Sequence, residues 1–285
     1  MRWQGRRRSE NVEDVRGTGG RGLKIGGGVG GLGIVVAILY FLLGGDPSDV
    51  TKTLQVDQPY ATGAGEPLSE KDREMGEFVS TVLASIEDVW RERFRVEGRT
   101  YVEPKLVLFS GAVDSACGYA GSSTGPFYCP GDSKVYIDLT FFEDMQRRLG
   151  APGDFALAYV IAHEVGHHVQ NLLGINDQVM ARRGRTSEKD FNRLMVRMEL
   201  QADFLAGVWA HYANLEAGFL ESGDIEEGMN AASAVGDDRI MRQTQGYVVP
   251  DAFTHGTSEQ RVRWFKKGLD TGDINQGDTF GAAVL

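Results

Sequence analysis

The chain has 285 residues, two cysteines, and 30 basic against 40 acidic side chains, for a net charge of −10. That length, with 41% hydrophobic content, supports one large domain and an appendage. The acidic balance, with no basic patch interleaved with aromatics, excludes a nucleic-acid partner, because such a surface repels phosphates.

Residues 1–24 carry seven basic side chains (Arg2, Arg6, Arg7, Arg8, Arg16, Arg21 and Lys24) against Glu10, Glu13 and Asp14. Residues 25–45 follow as 21 uncharged positions that end in a strongly apolar run from Ile34 to Leu43, long enough for one transmembrane helix. Asp46 and Asp49 come next. The positive-inside rule then predicts a single-pass protein of the cell (inner) membrane, with residues 1–24 as a basic cytoplasmic segment and everything after the span extracytoplasmic. The span is expected to remain uncleaved, since no small-x-small site follows it.

Gly28 to Gly33 formally reads G-x-G-x-x-G, but no strand precedes it and no amphipathic helix follows, which excludes a dinucleotide site. The spacings Gly26…Gly30 and Gly27…Gly31 instead suit helix–helix packing in a membrane and suggest a homo-oligomer. Residues 46–68 have no hydrophobic period, contain three prolines, and read as a linker.

The folded domain is expected over 69–268. Ser69 followed by Asp72 is an N-cap signature, and apolar residues recur at three and four from Met75 to Trp90, giving an amphipathic helix to about Arg95. Lys105 to Phe109 and Lys134 to Asp138 are β-rich runs expected to pair. Between them, Cys117 and Cys129 bracket a Gly/Ser/Pro-rich loop. In an oxidising compartment they predict a disulfide, with a loop-closure contribution of about 3 kcal/mol. Thr140 to Glu143 reads as a capping box opening the next helix.

His163-Glu164-Val165-Gly166-His167 is the most informative segment. On a helix running from Asp154 to Leu173 and stopped by Gly174, the two imidazoles lie one turn apart on one face, and Glu164 points to the open side of a shared metal ion. His168 faces elsewhere and reads as structural. Catalytic zinc usually takes three protein ligands and keeps a fourth position open. A metzincin would place a histidine where Leu173 stands, so that class is excluded. The better source is Glu199 to Asp203, on a helix from about Ser187 to Ala213. These two acids also share a face, so one can bind metal while the other accepts the spare N–H of a ligand histidine.

Residues 174–186, with Arg182, Arg183 and Arg185, read as a basic connection, and helices are expected at 224–242 and 258–268. His255, on the loop before Ser258, is the candidate donor for stabilising an oxyanion, with His211, Tyr212 and Arg261 as competitors. Residues 269–285 are glycine-rich and read as a loosely ordered tail.

The chain resembles the bacterial membrane-anchored neutral zinc metallopeptidases, gluzincin-like proteins with H-E-x-x-H followed by E-x-x-x-D. The likeness runs from the N-terminal MRWQGRRRSENVEDVRG through CPGDSKVYIDLTFF and HEVGHHVQ to FTHGTSEQRVRWF. It implies a zincin-like α+β fold, mostly helical with a small sheet. It further implies zinc as cofactor, His163, His167 and Glu199 as ligands, Glu164 as catalytic acid/base, and a peptide or protein as substrate. With the ligands so assigned, Asp203 becomes the partner that orients a ligand histidine. Alternative functions are a zinc-stabilised membrane-tethered scaffold and a hydrolase of non-peptide amides.

Overall fold

A computed structural model describes residues 1–17, 67–121 and 124–285. The long helix α1 (Glu70–Val96) starts at Ser69, whose hydroxyl accepts from the Asp72 backbone while Asp72 accepts from the Ser69 N–H, closing the expected capping box. A four-stranded sheet follows in the order β1 (Val12–Asp14), β2 (Lys105–Phe109), β6 (Lys134–Asp138), β5 (Phe127–Cys129). The two expected strands do pair, in parallel, with Val107 opposite Tyr136. β5 runs antiparallel to β6 and forms one edge of the sheet. A separate hairpin, β3 (Ala112–Ser115) and β4 (Gly118–Gly121), is tied to β5 by the Cys117–Cys129 disulfide.

Strand alternation sorts the sheet's two faces. Leu106, Leu108, Val135 and Ile137 join the main core, while Val107, Phe109, Tyr136 and Cys129 form a small second cluster with Val113 and Phe127. Helix α2 (Thr140–Arg147) lacks the expected capping box: the Thr140 N–H and hydroxyl both donate to Asp138, two residues earlier. An Asp at that distance competes directly for the first free N–H.

Helix α3 (Asp154–Leu172) is the centre of the molecule. It is apolar around its whole circumference from Phe155 to Ala162, as a helix surrounded by other elements must be. Around it lie α1, α5 (Glu188–Ala217) and α6 (Asp224–Ala234). The close approaches use small residues. A Cβ on Gly166 would lie 3.1 Å from the Ala202 carbonyl oxygen, which sets the α3/α5 spacing. Helix α8 (Ser258–Thr271) crosses α5 at Gly207 and Gly268, where added Cβ atoms would fall 2.1 and 2.0 Å from backbone oxygens.

Three expectations after residue 173 change. The basic connection holds a short helix α4 (Ile175–Met180), continued by hydrogen-bonded turns. The expected helix at 224–242 is two, α6 and α7 (Asp237–Gln245), because the backbone turns extended at Gly236 (φ −70°, ψ 137°), where the close approach of Ser258 leaves no room for a side chain. Residues past 269 are tied down: Arg197 donates to the carbonyls of Thr279, Phe280 and Ala282, and the buried Thr279 hydroxyl donates back to the Arg197 carbonyl.

The transmembrane helix and the single-pass inner-membrane topology do not stand. The expected span at 25–45, with its oligomerisation glycines, and the 46–68 linker up to residue 66 lie outside the described residues. Among the described residues no helix is long and apolar enough to cross a membrane. The N-terminal segment also belongs to the folded domain. β1 pairs with β2, Arg7 binds Glu87 and Asp88, and the Met1 ammonium contacts Asp154, Glu221 and Asp224. One crossing would separate residues 1–16 from these partners, and the arginines among them make contacts within the domain instead.

Candidate metal centre

His163 and His167 sit on α3 one turn apart, with ring centroids 4.8 Å apart and planes at 88°. The Gly166–Ala202 contact brings α5 beside them, and Glu199, one turn before Asp203, reaches both rings. Its carboxylate oxygens lie 3.1 Å from His163 Nε2 and 3.4 Å from His167 Nε2. One ligand atom from each residue falls within 4.8 Å of the others. Donors about 2.05 Å from a tetrahedral zinc are separated by about 3.3 Å, so two imidazole nitrogens and a carboxylate oxygen at these spacings fit that ion.

The Nδ1 atoms face away from this point and are held. His163 Nδ1 lies 2.8 Å from Asp203 Oδ1, and His167 Nδ1 lies 2.9 Å from Gln170 Oε1. With an acceptor on each Nδ1–H, both rings direct Nε2 into the site. Asp203 is fully buried and is itself gripped by Arg261, whose Nε and Nη2 donate to its two oxygens at 2.8 and 2.9 Å. The Tyr159 hydroxyl completes the group, donating to Asp203 and accepting from Arg261. Gln170 is fixed in turn, its amide donating to the Met198 carbonyl and to Gln201.

These neighbours set the protonation behaviour. Burial opposes charge on every member. For Asp203 the Arg261 and His163 charges outweigh it and hold the carboxyl below the usual range. For Glu199 the two histidines outweigh it by a wide margin. His163 is likewise disfavoured as a cation by burial, yet Asp203 and Glu199 lift it to about 9. His167 moves the same way through Glu199. The three donors together therefore attract a cation, and a proton competes with a metal for them.

The centre lies at the bottom of a cleft of about 530 Å³. Glu164 lines it beside the histidines and forms no ion pair among the described residues. His255 also lines it, with its side chain half-exposed. Asp237 fixes that loop: one carboxylate oxygen accepts the backbone N–H groups of Thr254, His255 and Gly256, and the other lies 3.1 Å from His255 Nδ1. Burial lowers the His255 affinity for a proton, but Asp237 and Glu199 more than reverse this, against an opposing push from Arg261.

The structure thus brings together His163, His167, Glu199, Glu164, Asp203 and His255. His168 is turned away and bonds the Val102 carbonyl and the Tyr128 hydroxyl. His211 bonds the Leu269 carbonyl and Tyr212 lies under Arg93, so neither competes with His255. Sequence reasoning missed Tyr159, Gln170 and Asp237, and gave Arg261 a different task. Two of these had a usable signal: Tyr159 is i−4 from His163 and Gln170 is i+3 from His167, positions that share a helix face.

A helix carrying both histidines of H-E-x-x-H and a carboxylate from a second helix form a candidate zinc site. The chain belongs to the family described as "Putative neutral zinc metallopeptidase", whose profile matches residues 1–280. It is 49% identical to the uncharacterized protein YpfJ of Escherichia coli over 293 residues, covering both chains completely. It is 43% identical over 262 residues to the uncharacterized protein Rv2575 of Mycobacterium tuberculosis, 86% of each chain. No solved structure matches.

Proposed function

We propose that this protein is a zinc-dependent peptidase. The observation that carries the reading is the convergence of His163, His167 and Glu199 within 4.8 Å at the bottom of an open cleft, with Glu164 alongside. When bound there by His163, His167 and Glu199, zinc supplies Lewis acidity toward a carbonyl and toward water. Glu164 is the group placed to take a proton from the attacking water and deliver it to the leaving amine. Asp203 and Gln170 keep the ligand rings oriented, and Arg261 keeps Asp203 an acceptor. His255, with Nδ1 engaged by Asp237, is left with Nε2 to donate to the oxygen that gains charge. The free edge of β5 and the residues after it give an extended peptide a wall to lie along.

The test is metal analysis joined to digestion of a peptide library by the full chain. The wild type is expected to bind one zinc and cleave peptides, Glu164→Gln to keep zinc without cleavage, and Glu199→Ala to lose most of the metal. Stoichiometric zinc in Glu199→Ala overturns the ligand set. Zinc without cleavage of any peptide points to a scaffold, and preferential cleavage of a small amide points to a non-peptide substrate.

A further inference from the structure

Apart from Glu199, the residues of α4 and α5 that line the cleft are Asn176, Met180, Met195 and Met198, which carry no charge. Two residues beyond Met180 the chain turns through Arg182, Arg183, Gly184 and Arg185, all exposed. The turn is held: Arg182 N–H bonds the Val179 carbonyl, Arg183 that of Met180 and Arg185 that of Arg182, at 2.9 to 3.0 Å. Its place relative to Met180, and so to the cleft wall, is therefore fixed by the backbone.

None of these three guanidinium groups has an acidic partner within ion-pair distance among the described residues, although Asp177 and Glu188 stand close in sequence. Many other basic side chains are compensated. On the helix that follows, Lys189 is paired with Asp251 and Arg193 with Asp190. Elsewhere Arg7, Arg8, Arg91, Arg95, Arg148 and Arg263 each hold an acid. On a chain with net charge −10, this turn gathers three exposed cations without an acidic partner among the described residues, and its backbone is bonded to Met180 of the cleft lining.

We propose that the Arg182–Arg185 turn is a substrate-recruiting rim that binds acidic side chains of a polypeptide whose uncharged residues occupy the methionine-lined wall. This rests on the peptidase reading for its occupant. Met side chains adapt to apolar groups of varied shape and so admit many residues at the wall. Selectivity then comes from the rim, where guanidinium forks match carboxylates. The hydrogen bond from the Arg183 N–H to the Met180 carbonyl closes a turn and holds their Cα atoms within about 7 Å, and an extended peptide advances about 3.3 Å per residue. The acid therefore belongs about one to three residues from the side chain seated at the wall.

The experiment uses the full chain and quenched fluorescent peptides with a fixed apolar centre. Glu, Gln or Lys is placed one to three positions to either side. On one side of the centre, Glu peptides are expected to exceed Lys peptides in kcat/KM by about three- to tenfold, the yield of a few exposed ion pairs. The effect resides in KM and shrinks at high salt. In the variant R182S/R183S/R185S the Glu-to-Lys ratio falls toward one. Equal values for Glu and Lys in the wild type, or a preference that survives the triple substitution, overturn the proposal. If no peptide is cleaved, the peptidase reading fails separately, and fluorescence anisotropy of the same labelled peptides decides the rim. Tighter binding of Glu peptides that is lost in R182S/R183S/R185S upholds it, and indifference to charge overturns it.

Discussion

Asp203 shows how much of this centre is decided by single buried groups. It has no exposure, it holds His163, and Arg261 with Tyr159 occupies its remaining acceptor capacity. Asp203→Ala should weaken zinc affinity by roughly 10 to 100-fold without abolishing it, as measured by competition with a chromogenic chelator. Unchanged affinity would show that the ring is held by packing alone. His255 allows a test by pH. Its folded-state affinity for a proton is raised, so the protonated donor persists above the ordinary histidine range and is lost as pH rises further. The kcat/KM profile should therefore fall on its alkaline side. In Asp237→Asn, which removes the largest upward influence on the ring, that fall should move to lower pH. His255→Ala should lower kcat by about 10² to 10³-fold with zinc retained. An alkaline limb in the same place in Asp237→Asn would assign it to another group.

Between helices, glycine placement does what side-chain chemistry cannot. α5 carries Glu199 and Asp203, and its position against α8 depends on Gly207 and Gly268 as surely as its position against α3 depends on Gly166 and Ala202. Gly268→Ala would put a methyl 2.0 Å from the Phe204 carbonyl oxygen, backbone that can yield only if the helices part. We expect a loss of about 3 kcal/mol, read as a Tm drop of roughly 6–12 °C. Zinc affinity should fall as well, because Arg261 moves with α8. A Tm within a degree or two of wild type would mean that the crossing is looser than this contact implies.

The N-terminal segment extends the same reasoning to the whole chain. Glu87 is buried on α1, and its partners come largely from residues 7–11: Arg7, the Ser9 hydroxyl and the Asn11 amide, with Arg91 at 3.6 Å. Removing residues 1–16 should therefore strip β2 of its neighbour and leave a buried carboxylate poorly compensated, a loss of about 3–5 kcal/mol. Thermal unfolding of a chain lacking only residues 1–16 checks this, and stability equal to the full chain would show the segment to be dispensable.

Local spacing was enough to single out the three residues that the structure groups as a candidate metal site. H-E-x-x-H and E-x-x-x-D place their side chains through helical periodicity alone, and Ser69 and Ser187 mark helix starts through hydrogen bonds that close within three residues. The cysteine pair was readable for the same reason, since its loop is short and polar. Where partners lie far apart in sequence, the residues gave no such signal. The N-terminal arginines looked like a membrane-topology signal because nothing in the first 24 residues shows that Glu77, Glu87 and Asp88 will meet them. Likewise Arg261 is 58 residues from Asp203, and Asp237 is 18 from His255. Helical pattern fixed which side chains could share a face; only packing through Gly166, Gly207 and Gly268 decided which faces met, because close backbone approach has no period to read.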